Sequence, residues 1–154
     1  MKYEPGKPYQ GVDYQMYRLK DDIGWLKAFD VANKKWLWQL PSHLPLFSGT
    51  LVTKGGLVFT GDQLGRVLAV DAASGKLLWS FQTGSGINAS PITYELDGRQ
   101  YVAILSGLGG DPSFYYSAPK GGMLWVFAVD GKLEDTATTN AQVIQKMLPT
   151  YGQQ

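Results

Sequence analysis

Cysteine is absent from this 154-residue chain, so disulfide staples, thiolate metal ligands and a thiol nucleophile are excluded within it. The absence leaves the compartment open, because exported and cytoplasmic proteins alike can lack cysteine. Histidine occurs once, as His43 between Ser42 and Leu44-Pro45. Metal sites and nucleophile–base triads need several partners, so His43 reads as a surface or hydrogen-bonding residue, with a ligand or base as the sharper alternative. An excess of one charge is also missing: 14 Lys+Arg against 13 Asp+Glu give a net +1. With no basic block either, no nucleic-acid or anionic-membrane partner is expected. No stretch reaches the ~18 apolar residues of a membrane span. The opening MKYEPGKPYQ has no apolar centre of the signal-peptide kind.

What the chain does have is glycine, proline and aromatic rings. Its 19 glycines, 8 prolines and 13% aromatic content describe many tight turns between short strands. More telling is a repeat. Ala28-Phe29-Asp30-Val31-Ala32-Asn33-Lys34-Lys35-Trp36-Leu37-Trp38 returns 41 residues later as Ala69-Val70-Asp71-Ala72-Ala73-Ser74-Gly75-Lys76-Leu77-Leu78-Trp79. Gly24 and Gly65 keep the same offset. A shorter echo, Val126-Phe127-Ala128-Val129-Asp130, lacks the closing Trp. A period of roughly 40–45 residues built from short strands is the signature of β-propeller blades.

Period and punctuation place four strands at 49–53, 57–60, 66–70 and 76–82, which together make one complete blade. The unbroken apolar runs Leu57-Val58-Phe59 and Val67-Leu68-Ala69-Val70 imply strands covered on both faces. Asp71 can cap the Ser74-Gly75 turn with its carboxylate, and Gly75 supplies a positive φ. Trp79 reads as a wedge between blades whose indole N–H finds a carbonyl. These repeat residues are scaffold on this reading.

The complete blade occupies 49–86. Residues 1–48 form a partial blade, with strands near 11–18, 24–29 and 35–40. Residues 87–130 form a partial last blade, with strands near 89–95, 101–106 and 123–130 and an inserted loop at 108–121 rich in aromatics. A tail follows at 131–154, where Thr139 or Asn140 can cap a short helix or coil bearing Val143, Ile144, Met147 and Leu148. The fold class is therefore all-β: about two and a half four-stranded antiparallel blades. A propeller closes at four to eight blades, and an open arc leaves edges and apolar faces uncovered. The remaining blades are expected on another chain or a second copy, with Leu124-Trp125-Val126-Phe127 pairing to a strand from there.

Gly49-Thr50-Leu51-Val52-Thr53-Lys54-Gly55-Gly56-Leu57-Val58-Phe59-Thr60-Gly61 is the first run that resembles a known family. It is joined by Gly65 through Trp79 and by Gln82-Thr83-Gly84-Ser85-Gly86-Ile87. Asp97-Gly98-Arg99-Gln100-Tyr101-Val102-Ala103-Ile104, Ser106-Gly107-Leu108-Gly109-Gly110 and Lys120 through Ala128 complete the set. Together they resemble the C-terminal quarter of pyrroloquinoline quinone (PQQ) dependent methanol/ethanol dehydrogenases, from about Tyr3 to Asp130. The resemblance implies an eight-bladed propeller holding PQQ and a calcium or lanthanide ion near its axis, both bound mainly by residues outside this chain. It further implies a small alcohol substrate, a cytochrome c-type electron acceptor and a periplasmic location. The family's metal ligands, base Asp, vicinal disulfide and stacking Trp lie upstream of the matching segment, so no catalytic or metal residue is assigned here.

Two stretches match family cofactor contacts. Phe47-Ser48-Gly49 stands where the family carries Trp-Ser-Gly or Trp-Gly-Gly, and Gly107-Leu108-Gly109-Gly110-Asp111 where it carries Gly-x-Gly-Gly-Trp. Phe47, Gly110 and Asp111 are the cofactor-binding candidates that follow. Gly110 allows close backbone approach. Phe47 lacks an indole N–H, and the Asp111 carboxylate repels those of PQQ unless it turns away or meets a cation. Phe47 reads equally as a core filler beside Leu46, and Asp111-Pro112 as a plain turn. The lost contacts also support a second reading, a non-catalytic propeller segment for protein interaction of the outer-membrane assembly lipoprotein type.

Overall fold

The computed structural model describes residues 4–6, 22, 24–107 and 122–132. The expected strand at 11–18, the loop at 108–121 and the tail from 133 onward lie outside the described residues. Nine strands form three antiparallel sheets. The first pairs β1 (Gly24–Asp30) with β2 (Lys35–Ser42). The second runs β3 (Leu51–Val52), β4 (Leu57–Gly61), β5 (Arg66–Asp71) and β6 (Leu77–Gln82) in sequential order. The third orders β7 (Ile92–Leu96), β8 (Arg99–Ser106) and β9 (Met123–Ala128). Sequential antiparallel order is what short turns permit, and the described residues form an all-β stack of propeller type.

The repeat reproduces itself in detail. Asp30 Oδ1 accepts from Asn33 N at 3.0 Å, and Asp71 Oδ1 accepts from Ser74 N at 2.7 Å and Ser74 Oγ at 2.6 Å. Each carboxylate closes its turn, as an Asx turn does. A register shift falls between Ala28 and Phe29 in the first sheet and between Ala69 and Val70 in the second, again 41 residues apart. Differences from the expected strand limits have local causes. Strand β3 is short because Ser48 Oγ reaches out of the sheet to the Ala89 carbonyl and the Gly49 carbonyl accepts from the Thr60 hydroxyl rather than a ladder amide. Strand β8 starts early, at Arg99, because Asp97 (φ 52°) and Gly98 (φ 73°) close a two-residue hairpin from β7. Both central residues at positive φ is the favoured geometry for such a turn.

Two apolar layers hold the sheets together. Leu26 of β1 meets Val58 and Val70 of the second sheet, joined by Trp38, Leu40, Leu46 and Ala72. On the opposite side of β5, Val67 meets Ile87 and Ile104, joined by Trp125 and Phe127 of β9. Strand β5 is thus covered on both faces, as its unbroken apolar run requires, with Val67 and Val70 fully buried. Fully burying a side chain of this size contributes about 1.5–3 kcal/mol.

The sharpest contact between the first two sheets is Trp38. Its indole Nε1 donates to the Ala72 carbonyl at 2.9 Å. The ring lies on Gly75, where an added Cβ would come within 2.5 Å of Trp38 Cδ2. Gly75 also holds φ at +71°, a region costly for other residues. The wedge role expected for Trp79 is carried in full by Trp38. Trp79 instead packs on Phe81 and edge-on against Phe127 of the third sheet, with 38% of its surface exposed.

Replacing Trp38 by Phe keeps most of the area and removes the indole bond, which should lower unfolding free energy by about 1–2 kcal/mol. Gly75→Ala should cost at least about 1–2 kcal/mol through the backbone alone, with displacement of the Trp38 ring in addition. Urea unfolding followed by Trp fluorescence checks both. A second expectation concerns acid. The Ser74 hydroxyl and amide hold the Asp71 carboxyl below its ordinary range, and the Asn33 side chain and amide do so for Asp30. A lowered folded pKa stabilises above the unfolded value and is lost as pH falls through the folded one. Asp30→Asn/Asp71→Asn keeps one acceptor oxygen at each turn and cannot titrate, so its melting temperature should fall less steeply than wild type below pH ~4.

Candidate functional site at the loop end of the sheets

Antiparallel order brings one set of connections to a common end. The segment 43–50 enters β3, the turn 62–65 joins β4 to β5, and 83–91 carries the chain from β6 to β7. Gly107, which follows β8, lies there too, because its N–H donates to the Gly86 carbonyl at 2.9 Å. Of the three cofactor-binding candidates, Phe47 falls on this end. Phe47 sits at the entrance to β3 with its ring 47% exposed, while its neighbour Leu46 joins the first apolar layer. Gly110 and Asp111 lie outside the described residues.

Beneath Phe47 the end is cross-linked by buried polar groups. Ser48 Oγ donates to the Ala89 carbonyl at 2.7 Å and accepts from Gly61 N at 3.1 Å, tying the entrance of β3 to the link between second and third sheets. Thr60 Oγ1 donates to the Gly49 carbonyl at 3.1 Å. Asp62, 2% exposed, is the hub of the next turn. Its Oδ1 accepts from Arg66 N at 2.8 Å, its Oδ2 meets Arg66 Nε at 2.6 Å, and its carbonyl accepts from Gly65 N and Ile87 N. Gln63 Nε2 donates to Asn88 Oδ1 at 2.6 Å. Ser106 Oγ donates to the Ser85 carbonyl at 2.9 Å and stands 2.7 Å from Thr83 Oγ1.

Among the described residues, two buried polar atoms have no hydrogen-bond partner, Gln63 Oε1 and Trp125 Nε1. The cost of leaving such a group unpaired is about 1–3 kcal/mol. Among the described residues no three His, Cys, Asp or Glu side chains gather in a way that would hold a metal ion. His43 Nδ1 pairs with Asp22 Oδ1 at 2.7 Å on an exposed surface. The orphan at the loop end is an acceptor, and the cation there, Arg66, is already bound to Asp62. Set against a planar quinone carrying three carboxylates, these residues offer one aromatic wall at Phe47 and no cationic donor set.

The PQQ family, described as the glucose/ethanol/alcohol dehydrogenase β-propeller domain, matches residues 15–102. The chain belongs to this family. It is 42% identical over 138 residues to the quinoprotein alcohol dehydrogenase PedE of Pseudomonas putida, covering 84% of this chain and 22% of that protein. It is 43% identical over 113 residues to the lanthanide-dependent methanol dehydrogenase of Methylacidiphilum fumariolicum, covering 70% of this chain and 18% of the relative. In structure it is similar to the quinohemoprotein alcohol dehydrogenase of Comamonas testosteroni, with TM-score 0.66 and 37% identity, over 71% of this chain and 17% of that one. The chain thus spans about a fifth of the length of these relatives.

Sequence reasoning singled out Phe47 at this end and did not single out Asp62, Gln63 and Asn88, whose contacts lock it. The Gly61-Asp62 pair read only as a strand terminus. The signal that could have found it is the Asp62-to-Arg66 spacing across a Gly65 turn. Removing the hub should tell. Asp62→Ala leaves the Arg66 amide and Nε short of an acceptor while the Asp62 carbonyl keeps its bonds, and should destabilise by about 2–4 kcal/mol. Arg66→Ala, with its side chain half-exposed, should cost no more than about 1 kcal/mol. Urea unfolding of the two variants side by side checks the asymmetry.

Proposed function

We propose that this chain is the C-terminal part of a PQQ-dependent alcohol dehydrogenase and acts only together with the remaining blades. The observation that carries the reading is the family match over 15–102 in a chain covering 22% of PedE. In the assembled enzyme a small primary alcohol is oxidised to an aldehyde, its hydride passing to PQQ and its hydroxyl proton to a base outside this chain. PQQ and a calcium or lanthanide ion are held mainly by residues of the other blades. Phe47 forms one wall, and the Ser48–Ala89 and Gln63–Asn88 contacts hold that wall in place. Gly110 and Asp111 complete the proposed rim. A periplasmic location and a cytochrome c-type acceptor go with this reading.

The third sheet supports the need for partners. Ile92, Leu96, Leu105, Leu124 and Val126 are exposed, and the β7–β8–β9 register puts them on the face turned away from the second sheet. Strand β9 pairs only with β8 among the described residues. An apolar face and an open edge of this kind call for cover. The proposed partner therefore adds a strand along β9 and an interface of obligate size, above ~2,000 Å². Native mass spectrometry of the purified assembly should show this chain travelling with a larger partner or a further copy. A chain that travels alone would contradict the reading.

A further inference from the structure

Strands β1 and β5 are the same strand in two units. They are 41 residues apart and carry the same register shift. The face of β5 turned toward the first sheet bears Val70 and Leu68, the latter 7% exposed. On β1 the equivalent face points away from the second sheet, and it bears Phe29 in place of Val70 and Lys27 in place of Leu68. Trp25, Phe29 and Trp36 are exposed on that side. Lys27 Nζ sits 5.2 Å from the ring centroids of both Trp25 and Trp36, and Phe29 meets Trp36 edge-on at 4.9 Å.

We propose that this aromatic face docks another sheet of the same stack, one that sets a carboxylate against Lys27. The inference rests on the reading that further blades exist. The chain's own junction shows what covers such a face, since the first sheet lies on β5 with Leu26 against Val70, and Leu68 on the same face is buried. Covering β1 in the same way takes the Lys27 ammonium out of water. Two indole faces replace part of its hydration, and a buried ammonium otherwise requires an anion. An aromatic surround leaves that anion to come from the covering sheet.

The turn next to this face explains why recognition falls on Lys27. In the second sheet the matching turn receives Trp38, and its socket depends on Gly75 having no side chain. In the first sheet Lys34 holds Gly75's place, with φ at +52°. The conformation is kept, but a Cβ now stands where an indole would lie. The covering sheet therefore does not seat an indole on the Val31 carbonyl as Trp38 does on Ala72. Its specificity comes from the charge at Lys27.

The test uses the chain assembled with its remaining blades, followed by native mass spectrometry and size-exclusion titration at fixed salt. Lys27→Glu should weaken assembly about tenfold or more, by setting two carboxylates face to face. Lys27→Arg keeps the charge and the ring contacts and should assemble like wild type, which separates charge from a folding defect. Lys34→Gly should leave assembly within about twofold. Assembly of Lys27→Glu at wild-type strength would overturn the proposal, as would a Lys34→Gly variant that binds about tenfold tighter by admitting an indole. A wild-type chain that travels alone would overturn the alcohol dehydrogenase reading and this inference with it.

Discussion

The seating of Trp38 on the turn of the next sheet is the contact on which the stack depends. One indole spans the gap between two sheets, donating to the Ala72 carbonyl while its ring lies on Gly75. That seat fixes the angle at which Leu26 meets Val58 and Val70, and so fixes which face of β5 remains for the third sheet. An indole suits this task because it combines a large apolar area with one directional donor. The same turn must then be built twice over. Its carboxylate cap sets the loop, and a residue without a Cβ leaves room for the ring.

The loop end follows a different logic. Strands held by apolar layers can still slide, and apolar contacts alone place a side chain poorly. Here two hydroxyls and one backbone amide tie the sheets and their links together, at Ser48 Oγ to the Ala89 carbonyl, Ile87 N to the Asp62 carbonyl and Ser106 Oγ to the Ser85 carbonyl. A buried polar network that is satisfied in this way rigidifies its surroundings. On the proposed quinoprotein reading, the chain's share of the work is positioning, a firm end wall beside a cofactor held mainly by other blades.

The sheets were legible because the repeat carries them. The shared Asp, the Trp and the apolar run Val67-Leu68-Ala69-Val70 announce strand, turn and cover at once. The polar locks at the loop end were not legible. Asp62, Gln63 and Asn88 look like ordinary turn residues until the third sheet brings Ile87 and Asn88 over the β4–β5 turn. The division between Trp38 and Trp79 was hidden for a related reason. Their sequence contexts match, but the turn that receives Trp38 is a close copy of neither Val129-Asp130-Gly131 nor its surroundings. Of the candidate site only Phe47 is among the described residues, at the entrance to β3, while Gly110 and Asp111 lie outside them.

The central claim is that this chain forms part of a quinoprotein rather than a propeller used for protein interaction. Quantitation of PQQ released from the native assembly tests it most directly, by absorbance and mass after denaturation. The account predicts stoichiometric quinone, one molecule for each copy of this chain and its partner blades. A fully assembled ring that contains this chain and releases no quinone would contradict it.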